Sequence, residues 1–225
     1  MTADFPDLRT KMVDNQIRTT DVTNVAVLDA FLAVPREEFV PAAWRDLAYI
    51  DEDIPLKPAS AAGEPARYLM EPSPFAKLLQ LASIQPGDHV LDIGAGTGYS
   101  AAVLSRIAGS VVAVESDSDL AAQAATRMVE LGFNNVVIAT TPMPEGDPSR
   151  APYDVIVIEG AVDFVPDALF GQLKNGGRLV AVEGRGNAGI ARFYMKDEGI
   201  VSGRGAFNLA VKELTGFSRV PQFQF

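Results

Sequence analysis

His-Val-Leu-Asp-Ile-Gly-Ala-Gly-Thr-Gly-Tyr occupies residues 89–99, and this stretch is the strongest indication of the fold of the chain. An apolar run gives way to glycine at every second position, Gly94, Gly96 and Gly98. The alanine-rich residues 100–108 that follow predict a helix. A strand, a glycine turn and a helix in this order open a nucleotide-binding βαβ unit, in which missing β-carbons let the backbone approach a ligand.

The details of the turn indicate which ligand it would hold. A dinucleotide fingerprint, G-x-G-x-x-G, would place its third glycine at position 99, where this chain has Tyr99. A P-loop would need Gly-Lys followed by Ser or Thr after the turn, and this sequence has none there. Asp92 would repel a pyrophosphate and would suit a cation such as S-adenosylmethionine, whose ammonium and sulfonium groups are both positive.

A second acid follows the next predicted strand. Residues 111–114 are an apolar run typical of a buried parallel strand, and the run ends at Glu115, seventeen positions after Gly98. An acid at the end of the second strand, about twenty residues beyond the glycines, accepts hydrogen bonds from ribose hydroxyls. The alternative interpretation is that Asp92 and Glu115 only solvate the ends of their strands.

Length and composition limit the classes of protein to consider. The 225 residues suffice for one compact unit, in which we expect residues 1–73 to form a helical and loop extension on the substrate side. Residues 74–225 are expected to form the cofactor-binding domain. No apolar stretch reaches the roughly 18 residues of a membrane span. Residues 1–11 show no secretory signal, so we expect a cytoplasmic protein.

Residue usage and charge exclude several kinds of chemistry. The chain has no cysteine and a single histidine, His89, which excludes a thiolate nucleophile, a disulfide framework and a His-rich or Cys-containing metal site. We therefore expect no metal, and we interpret His89 as a structural or solvated residue. The net charge is −10 with lysine and arginine scattered singly, which argues against nucleic acid as the main substrate.

The rest of the chain alternates predicted helices and strands. This alternation predicts an α/β fold with a doubly wound, mostly parallel sheet whose last strands are antiparallel, preceded by the N-terminal helical extension. Helices are expected at 21–33 (capped by Thr20 or Asp21), 74–83, 100–108, 120–132 and 167–173. Strands are expected at 90–93, 111–114, 136–139, 153–158, 179–182, 190–195, 200–209 and 220–225. The proline-rich residues 51–67 are expected to form a long irregular segment.

Several motifs taken together resemble one known family. They are Val-Pro-Arg-Glu-Glu-Phe-Val-Pro at 34–41, Ala-Tyr at 48–49, Gly-Tyr-Ser-Ala at 98–101, Ala-Pro-Tyr-Asp at 151–154 and the stretch 166–182. The chain resembles the protein-L-isoaspartate O-methyltransferases, which are class I S-adenosylmethionine-dependent methyltransferases, over roughly residues 12–185. The resemblance implies a Rossmann-like methyltransferase fold with a seven-stranded sheet. It also implies methyl transfer to the carboxylate of L-isoaspartyl residues in damaged proteins, a protein-repair activity.

The resemblance further implies a site for S-adenosylmethionine. Asp92 and the glycine turn would surround the methionine moiety, Glu115 would hold the ribose, and Ser116 would lie close to the adenine. Gly160 and Ala161 would close the floor of the pocket. The expected cofactor-binding residues are thus Asp92, Gly94, Ala95, Gly96, Gly98, Tyr99, Glu115, Ser116, Gly160 and Ala161.

The chain departs from the family's pattern on the substrate side. Met70 stands at the position of the family's catalytic serine and has no hydrogen-bond donor. The next residue, Glu71, is an anion and would repel a carboxylate substrate if it faced the pocket. Ser60 and Ser73 are the candidates for a substitute hydroxyl. Further differences lie at 141–143 (which lacks the family's adenine-binding acid), 187–190 and 211–214.

Three functions stay open at the level of sequence. The first is an isoaspartyl methyltransferase, acting on a damaged protein or peptide, in which another residue replaces Met70. The second is a methyltransferase for a different acceptor, and an amine or cation would suit Glu71. The third is a cofactor-binding module without turnover, which acts through a partner bound at Phe217, Phe223 and Phe225. A final edge strand packed on its own core is the simpler interpretation of that last segment. The oligomeric state is not determined by the sequence.

Overall fold

The computed structural model describes residues 3–59 and 65–219, and most of its strands belong to one sheet. The strands are β1 (Ile54–Lys57), β2 (Arg67–Leu69), β3 (His89–Ile93), β4 (Ser110–Val114), β5 (Val136–Ala139), β6 (Tyr153–Val162), β7 (Leu173–Glu183), β8 (Ile190–Asp197) and β9 (Ile200–Asn208). Seven of them form a sheet in the order β5-β4-β3-β6-β7-β8-β9, while β1 and β2 pair with each other. The expected doubly wound sheet is therefore confirmed.

The sheet changes from parallel to antiparallel along its width. Leu91 of β3 lies level with Val112 of β4 on one side and with Ile156 of β6 on the other, both in parallel register. The pairs β7–β8 and β8–β9 are antiparallel, as the sequence predicts for the last strands. Because the carboxyl ends of parallel strands share one edge, the residues that follow β3, β4 and β6 come together there.

Six α-helices accompany this sheet within the described residues. They are α1 (Phe5–Met12), α2 (Val25–Ala33), α3 (Pro72–Ala82), α4 (Tyr99–Ser105), α5 (Ser118–Glu130) and α6 (Asp167–Gly171). Successive side chains of a strand point to opposite faces, and β3 is buried on both. Val90 belongs to the hydrophobic cluster that contains Phe31 and Tyr99, whereas Leu91 belongs to the other cluster. Since Phe31 and Tyr99 share one cluster, the two predicted portions of the chain share a core, and their boundary at residue 73 stays a prediction.

Residues 51–67 contain more regular structure than the sequence predicts. β1 and β2 form an antiparallel hairpin in which Lys57 lies opposite Arg67. Pro55 is the only proline within these two strands, and a strand outside a larger sheet tolerates a residue that lacks an N–H. The expectation of an irregular segment was therefore wrong for β1 and for the start of β2.

Other differences between the prediction and the structure lie in the first two helices and near the C-terminus. Helix α1 was not anticipated, although Asp4 caps it by accepting a hydrogen bond of 3.2 Å from the Asp7 amide. Helix α2 begins later than expected and is capped by Asn24, because Asp21 has a left-handed backbone with φ of 66° and ends the preceding turn. Phe217 is fully buried in the core. The predicted strand 220–225, with its phenylalanines, lies outside the described residues.

Two further observations complete the fold. His89 lies at the start of β3, where its ring stacks on Tyr153 at 4.7 Å between centroids and its Nδ1 lies 2.7 Å from the Ser110 hydroxyl. These contacts agree with the structural role expected from the sequence. Across residues 3–59 and 65–219, none of the helices has the length and apolar character needed to cross a membrane.

Candidate active site

The glycine turn lies at the carboxyl end of β3. Gly94, Gly96 and Gly98 have φ angles of 94°, 55° and 96°, which residues with a β-carbon rarely adopt. The Gly94 amide donates to the Val114 carbonyl at 2.9 Å, which fixes the turn against β4. Gly98 also begins helix α4, and a β-carbon there would lie 3.1 Å from the side chain of Ala124. Backbone conformation and close packing therefore both explain the glycines.

Asp92 lies directly before this turn and is completely buried. Its Oδ2 accepts a hydrogen bond of 2.7 Å from the Ser100 hydroxyl, but its Oδ1 has no partner. Burial raises the pKa of Asp92, because the charged carboxylate loses its hydration and one hydroxyl compensates only in part. A buried carboxylate oxygen without a partner favours a cationic ligand at this point.

Glu159 brings a second acid to the same place, and the sequence analysis did not single it out. It follows Ile158, which is paired with Ile93 of β3, so it lies beside the carboxyl end of that strand. Its Oε1 is buried without a partner, and burial together with the charge of Asp92 raises its pKa well above the usual range. The sequence did contain a signal, since an acid directly ends the apolar run of β6.

Glu115 ends β4 as predicted and is fully buried. Its oxygens accept hydrogen bonds from the Gly96 amide at 2.8 Å and from the Asp117 amide at 2.9 Å. The Arg67 guanidinium completes the set with two further bonds of 2.6 and 2.7 Å, one to each oxygen. Arg67 was missed from the sequence. The predicted ribose acceptor is therefore present and already paired within the chain.

Two leucines lie against the glycines. A β-carbon placed on Gly96 would lie 2.7 Å from a methyl group of Leu56. A β-carbon placed on Gly94 would lie 2.8 Å from a methyl group of Leu214, and one on Gly160 would lie 2.9 Å from the Leu214 β-carbon. These side chains occupy the space in front of the turn, where a ligand would have to approach the backbone.

Two small cavities lie around the turn among the described residues. The first, of about 10 Å³, is lined by Leu56, Tyr68, Leu69, Met70, Phe75, Gly94, Ala95, Gly96, Tyr99, Ser100 and Glu159. The second, of about 120 Å³, is lined by Lys57, Pro58, Pro65, Arg67, Ser116, Asp117 and Thr215. Arg67 lines the second cavity and Leu56 the first, so the β1–β2 hairpin contributes a wall to both. Ser116, the predicted adenine neighbour, is exposed at the second cavity.

The predicted floor of the pocket is formed by the end of β6 and the chain after β9. The Ala161 amide donates to the Lys212 carbonyl at 2.8 Å, and the Leu214 amide donates to the Ala161 carbonyl at 2.8 Å. These two bonds hold Leu214 over Gly160 in the manner of an added strand. Segment 211–214, where the chain departs from the family's pattern, thus has a defined role in covering the glycine turn.

Tyr99 is buried on the side of the turn that faces the N-terminal residues. The Arg36 guanidinium lies 4.7 Å from the centre of its ring, and Phe39 packs edge-on against it at 5.6 Å. Both partners come from residues 34–41, the first motif of the resemblance. Tyr99 therefore joins the N-terminal extension to the glycine turn.

Met70 lines the first cavity, and Glu71 follows it as the residue directly before α3. The Met70 side chain is buried and lines that cavity, while its carbonyl accepts a hydrogen bond of 2.8 Å from Arg36. The Glu71 amide donates to Asp53 at 3.0 Å. Burial, with added repulsion from Asp51 and Asp53, raises the pKa of Glu71 to about 7. Of the candidate replacement hydroxyls, Ser73 donates to Thr20 at 2.9 Å, and Ser60 lies outside the described residues.

Comparison with known proteins identifies relatives over most of the chain. The family model described as protein-L-isoaspartate(D-aspartate) O-methyltransferase matches residues 8–210. The protein-L-isoaspartate O-methyltransferase of Koribacter versatilis (strain Ellin345) is 39% identical over 172 residues, which are 76% of this chain and 74% of that protein. The protein of the same name from Rhodopseudomonas palustris (strain ATCC BAA-98 / CGA009) is 42% identical over 169 residues, 75% of this chain and 74% of that protein.

Solved structures agree with this relationship. A protein-L-isoaspartate O-methyltransferase superposes with a TM-score of 0.77 at 29% identity, covering 92% of this chain and 66% of that one. This chain therefore spans just under two thirds of that protein. A Plasmodium falciparum protein described as an isoaspartate methyltransferase, solved in complex with S-adenosyl-L-homocysteine, gives a TM-score of 0.73 at 16% identity. It covers 95% of this chain and 99% of its own, and it supports the fold alone.

Proposed function

The chain belongs to the protein-L-isoaspartate(D-aspartate) O-methyltransferase family, and from this we propose that it methylates the free carboxylate of L-isoaspartyl residues in damaged proteins or peptides. S-adenosylmethionine is the methyl donor, and we place the reaction in the cytoplasm. The observation that carries the proposal is the glycine turn with acids from three neighbouring strands beside it: the buried Asp92 and Glu115, and Glu159, whose Oε1 is buried. This arrangement lies inside the region matched by the family model.

The residues present fit the cofactor in kind. The unpartnered oxygens of Asp92 and Glu159 would face its ammonium and sulfonium groups, since both are buried acceptors without a donor. Gly94 and Gly96 would let the backbone approach it. Glu115 would hold the ribose hydroxyls, for which it has to exchange the bonds it now makes to Arg67. Bound S-adenosylmethionine supplies an activated methyl group on a positive sulfur.

The acceptor chemistry makes few demands on the protein. An isoaspartyl carboxylate is ionised at neutral pH, so no general base has to remove a proton before it attacks. The protein's contribution is to align the two reactants and to exclude water, which can supply most of the acceleration. Met70 cannot hold the carboxylate with a hydrogen bond, because its thioether has no donor. Its buried side chain instead shapes the wall between cofactor and acceptor.

A different acceptor is favoured by one feature, the negative charge on the substrate side. Glu71 lies beside Met70, and Glu159 lines the same small cavity as Met70. A carboxylate placed there would be repelled when either acid is ionised, whereas an amine or another cation would be attracted. The second candidate function is therefore methyl transfer to an amine, which would bind as a cation and give its proton to one of these carboxylates before the nitrogen attacks the methyl group.

Methyl transfer from radiolabelled S-adenosylmethionine tests the proposal. The acceptors are an isoaspartyl peptide and the aspartyl peptide of the same sequence, with the free amines of both peptides acetylated. Labelling of the isoaspartyl peptide alone supports the proposed function. If the peptides are labelled only when their amines are left unacetylated, the second candidate function is supported. If no peptide is labelled in either form, both candidate functions are overturned.

A further inference from the structure

The ribose-binding carboxylate and the glycine turn are both covered by one hairpin. Arg67 of β2 binds Glu115, and Leu56 of β1 lies on Gly96. We propose that these two side chains form an intramolecular competitor of the cofactor, in which Arg67 takes the place of the ribose on Glu115 and Leu56 covers the turn beside it. The proposal rests on the proposed function, because it concerns the site assigned there.

The chemistry of Arg67 resembles that of the group it would replace. Its guanidinium presents two parallel N–H donors to the two oxygens of one carboxylate, at 2.6 and 2.7 Å. Two neighbouring ribose hydroxyls would likewise offer two donors to the oxygens of Glu115. The two remaining contacts of Glu115 come from the amides of Gly96 and Asp117. They can persist during an exchange of one pair of donors for the other.

The small cavities around Arg67 and Leu56 agree with competition between these side chains and the cofactor. Sites for ligands of this size have volumes of about 300–1,000 Å³, whereas the cavities here have about 10 and 120 Å³. Hairpin side chains line both cavities, Leu56 the smaller and Arg67 the larger. Withdrawal of these two side chains would enlarge both cavities and expose Glu115.

The hairpin is built in a way that permits such a withdrawal. Its base is anchored, since Ile54 is fully buried and lies opposite Leu69, which is also buried. Within residues 3–59 and 65–219 its two strands pair only with each other, and two-stranded hairpins are only marginally stable by themselves. Farther out, Lys57 forms an ion pair with Asp117 at a partly exposed position, where such pairs contribute little. Arg67 also belongs to this distal half, and its two bonds to Glu115 are those that the ribose hydroxyls would replace. The distal half can therefore leave, while the base stays, when the ribose takes over Glu115.

Isothermal titration with S-adenosylhomocysteine tests the competition on the whole chain. Arg67→Ala removes the ribose substitute and Leu56→Ala opens the turn without leaving a buried charge, so the second variant protects the test if the first folds poorly. Each is expected to bind at least about tenfold more tightly than the wild type, because the population with an open site increases. Arg18→Ala, which removes an exposed ion pair with Asp14, is the control and should match the wild type.

Hydrogen exchange gives a readout that does not depend on activity. Addition of S-adenosylhomocysteine should speed amide exchange at residues 56, 57 and 67, leave the anchored residues 54 and 69 unchanged, and slow exchange at the glycine turn. Unchanged affinity in both variants, absence of binding in all proteins, or protection of the hairpin by the ligand would each overturn the proposal. Methyl transfer is scored separately: variants that bind more tightly without methylating peptide would leave the competitor standing and contradict only the proposed function.

Discussion

Arg67 and Glu115 are joined by two hydrogen bonds of 2.6 and 2.7 Å although they lie 48 positions apart in the sequence. Both side chains are almost completely withdrawn from solvent, with exposed fractions of 8% and 0%. In such surroundings a two-point guanidinium–carboxylate contact is among the stronger polar interactions, and loss of either partner leaves an uncompensated charge. The pair thus links the fold of the β1–β2 hairpin to the availability of the ribose-binding acid.

This link predicts strongly non-additive effects on stability. Glu115→Ala should lower the free energy of unfolding by about 3–5 kcal/mol, since it leaves Arg67 buried without its partner. Arg67→Ala should cost a comparable amount, and the double variant should lose clearly less than the sum of the two. Urea denaturation of the four proteins measures the coupling. Additive losses would mean that the two side chains do not interact in solution.

Asp92 is predicted to determine cofactor affinity. Asp92→Ala should weaken S-adenosylhomocysteine binding by about ten- to a hundredfold or more, because removing a charged hydrogen-bonding partner costs about 1.5–3 kcal/mol. Asp92→Asn keeps the shape and the contact with Ser100 but not the charge, and it should weaken binding as well. Calorimetric titration measures both. An affinity equal to that of the wild type in Asp92→Ala would contradict the assignment of this acid to the cofactor.

The raised pKa of Glu71 predicts that the stability of the fold depends on pH. An unfolded glutamate releases its proton near its ordinary pKa, whereas burial and Asp51 raise the pKa of Glu71 to about 7 in the folded chain. Between these values the folded state holds more protons than the unfolded state, so the group lowers stability as the pH rises. Glu71→Gln should therefore melt at a higher temperature than the wild type near pH 8, and at a similar temperature near pH 4, where both states are protonated. A lower Tm of the variant near pH 8 would contradict the raised pKa.

Replacement of Met70 by serine is predicted to increase methylation of an isoaspartyl peptide. Met70→Ser restores a hydroxyl at the position where the resemblance places the catalytic serine. One positioning hydrogen bond contributes about 1–3 kcal/mol, so methylation of an isoaspartyl peptide should rise roughly ten- to a hundredfold. Met70→Ala is the matched control, since it shortens the side chain without adding a donor. Equal rates in the serine and alanine variants would show that the hydroxyl has no place in this site.

The parts of the site that lie within one βαβ unit could be predicted from the sequence. Asp92, the three glycines and Glu115 follow from a local pattern, because strand ends and tight turns require particular residue types at fixed spacing. Glu159 has the same kind of signal, an acid that ends the apolar run Val155–Ile158, but it lies outside the glycine motif. Whether each predicted residue contacts a ligand stays a prediction.

Arg67 and Leu56 could not be predicted in this way. They belong to a segment whose prolines and small residues are typical of loops, and their partners lie far along the chain. No local pattern indicates that an arginine in such a segment binds the acid at the end of β4. That information exists only in the tertiary structure, where the hairpin packs over the turn.

The proposed isoaspartyl methyltransferase activity can be measured directly as methyl transfer to an isoaspartyl peptide. The wild type should transfer the labelled methyl group of S-adenosylmethionine to an amine-acetylated isoaspartyl peptide but not to its aspartyl twin. The label should be released by mild alkali, as a methyl ester requires, and Asp92→Ala should transfer far less than the wild type at the same cofactor concentration. Absence of label on the isoaspartyl peptide, or an alkali-stable label, would contradict the proposal that this chain methylates isoaspartyl carboxylates.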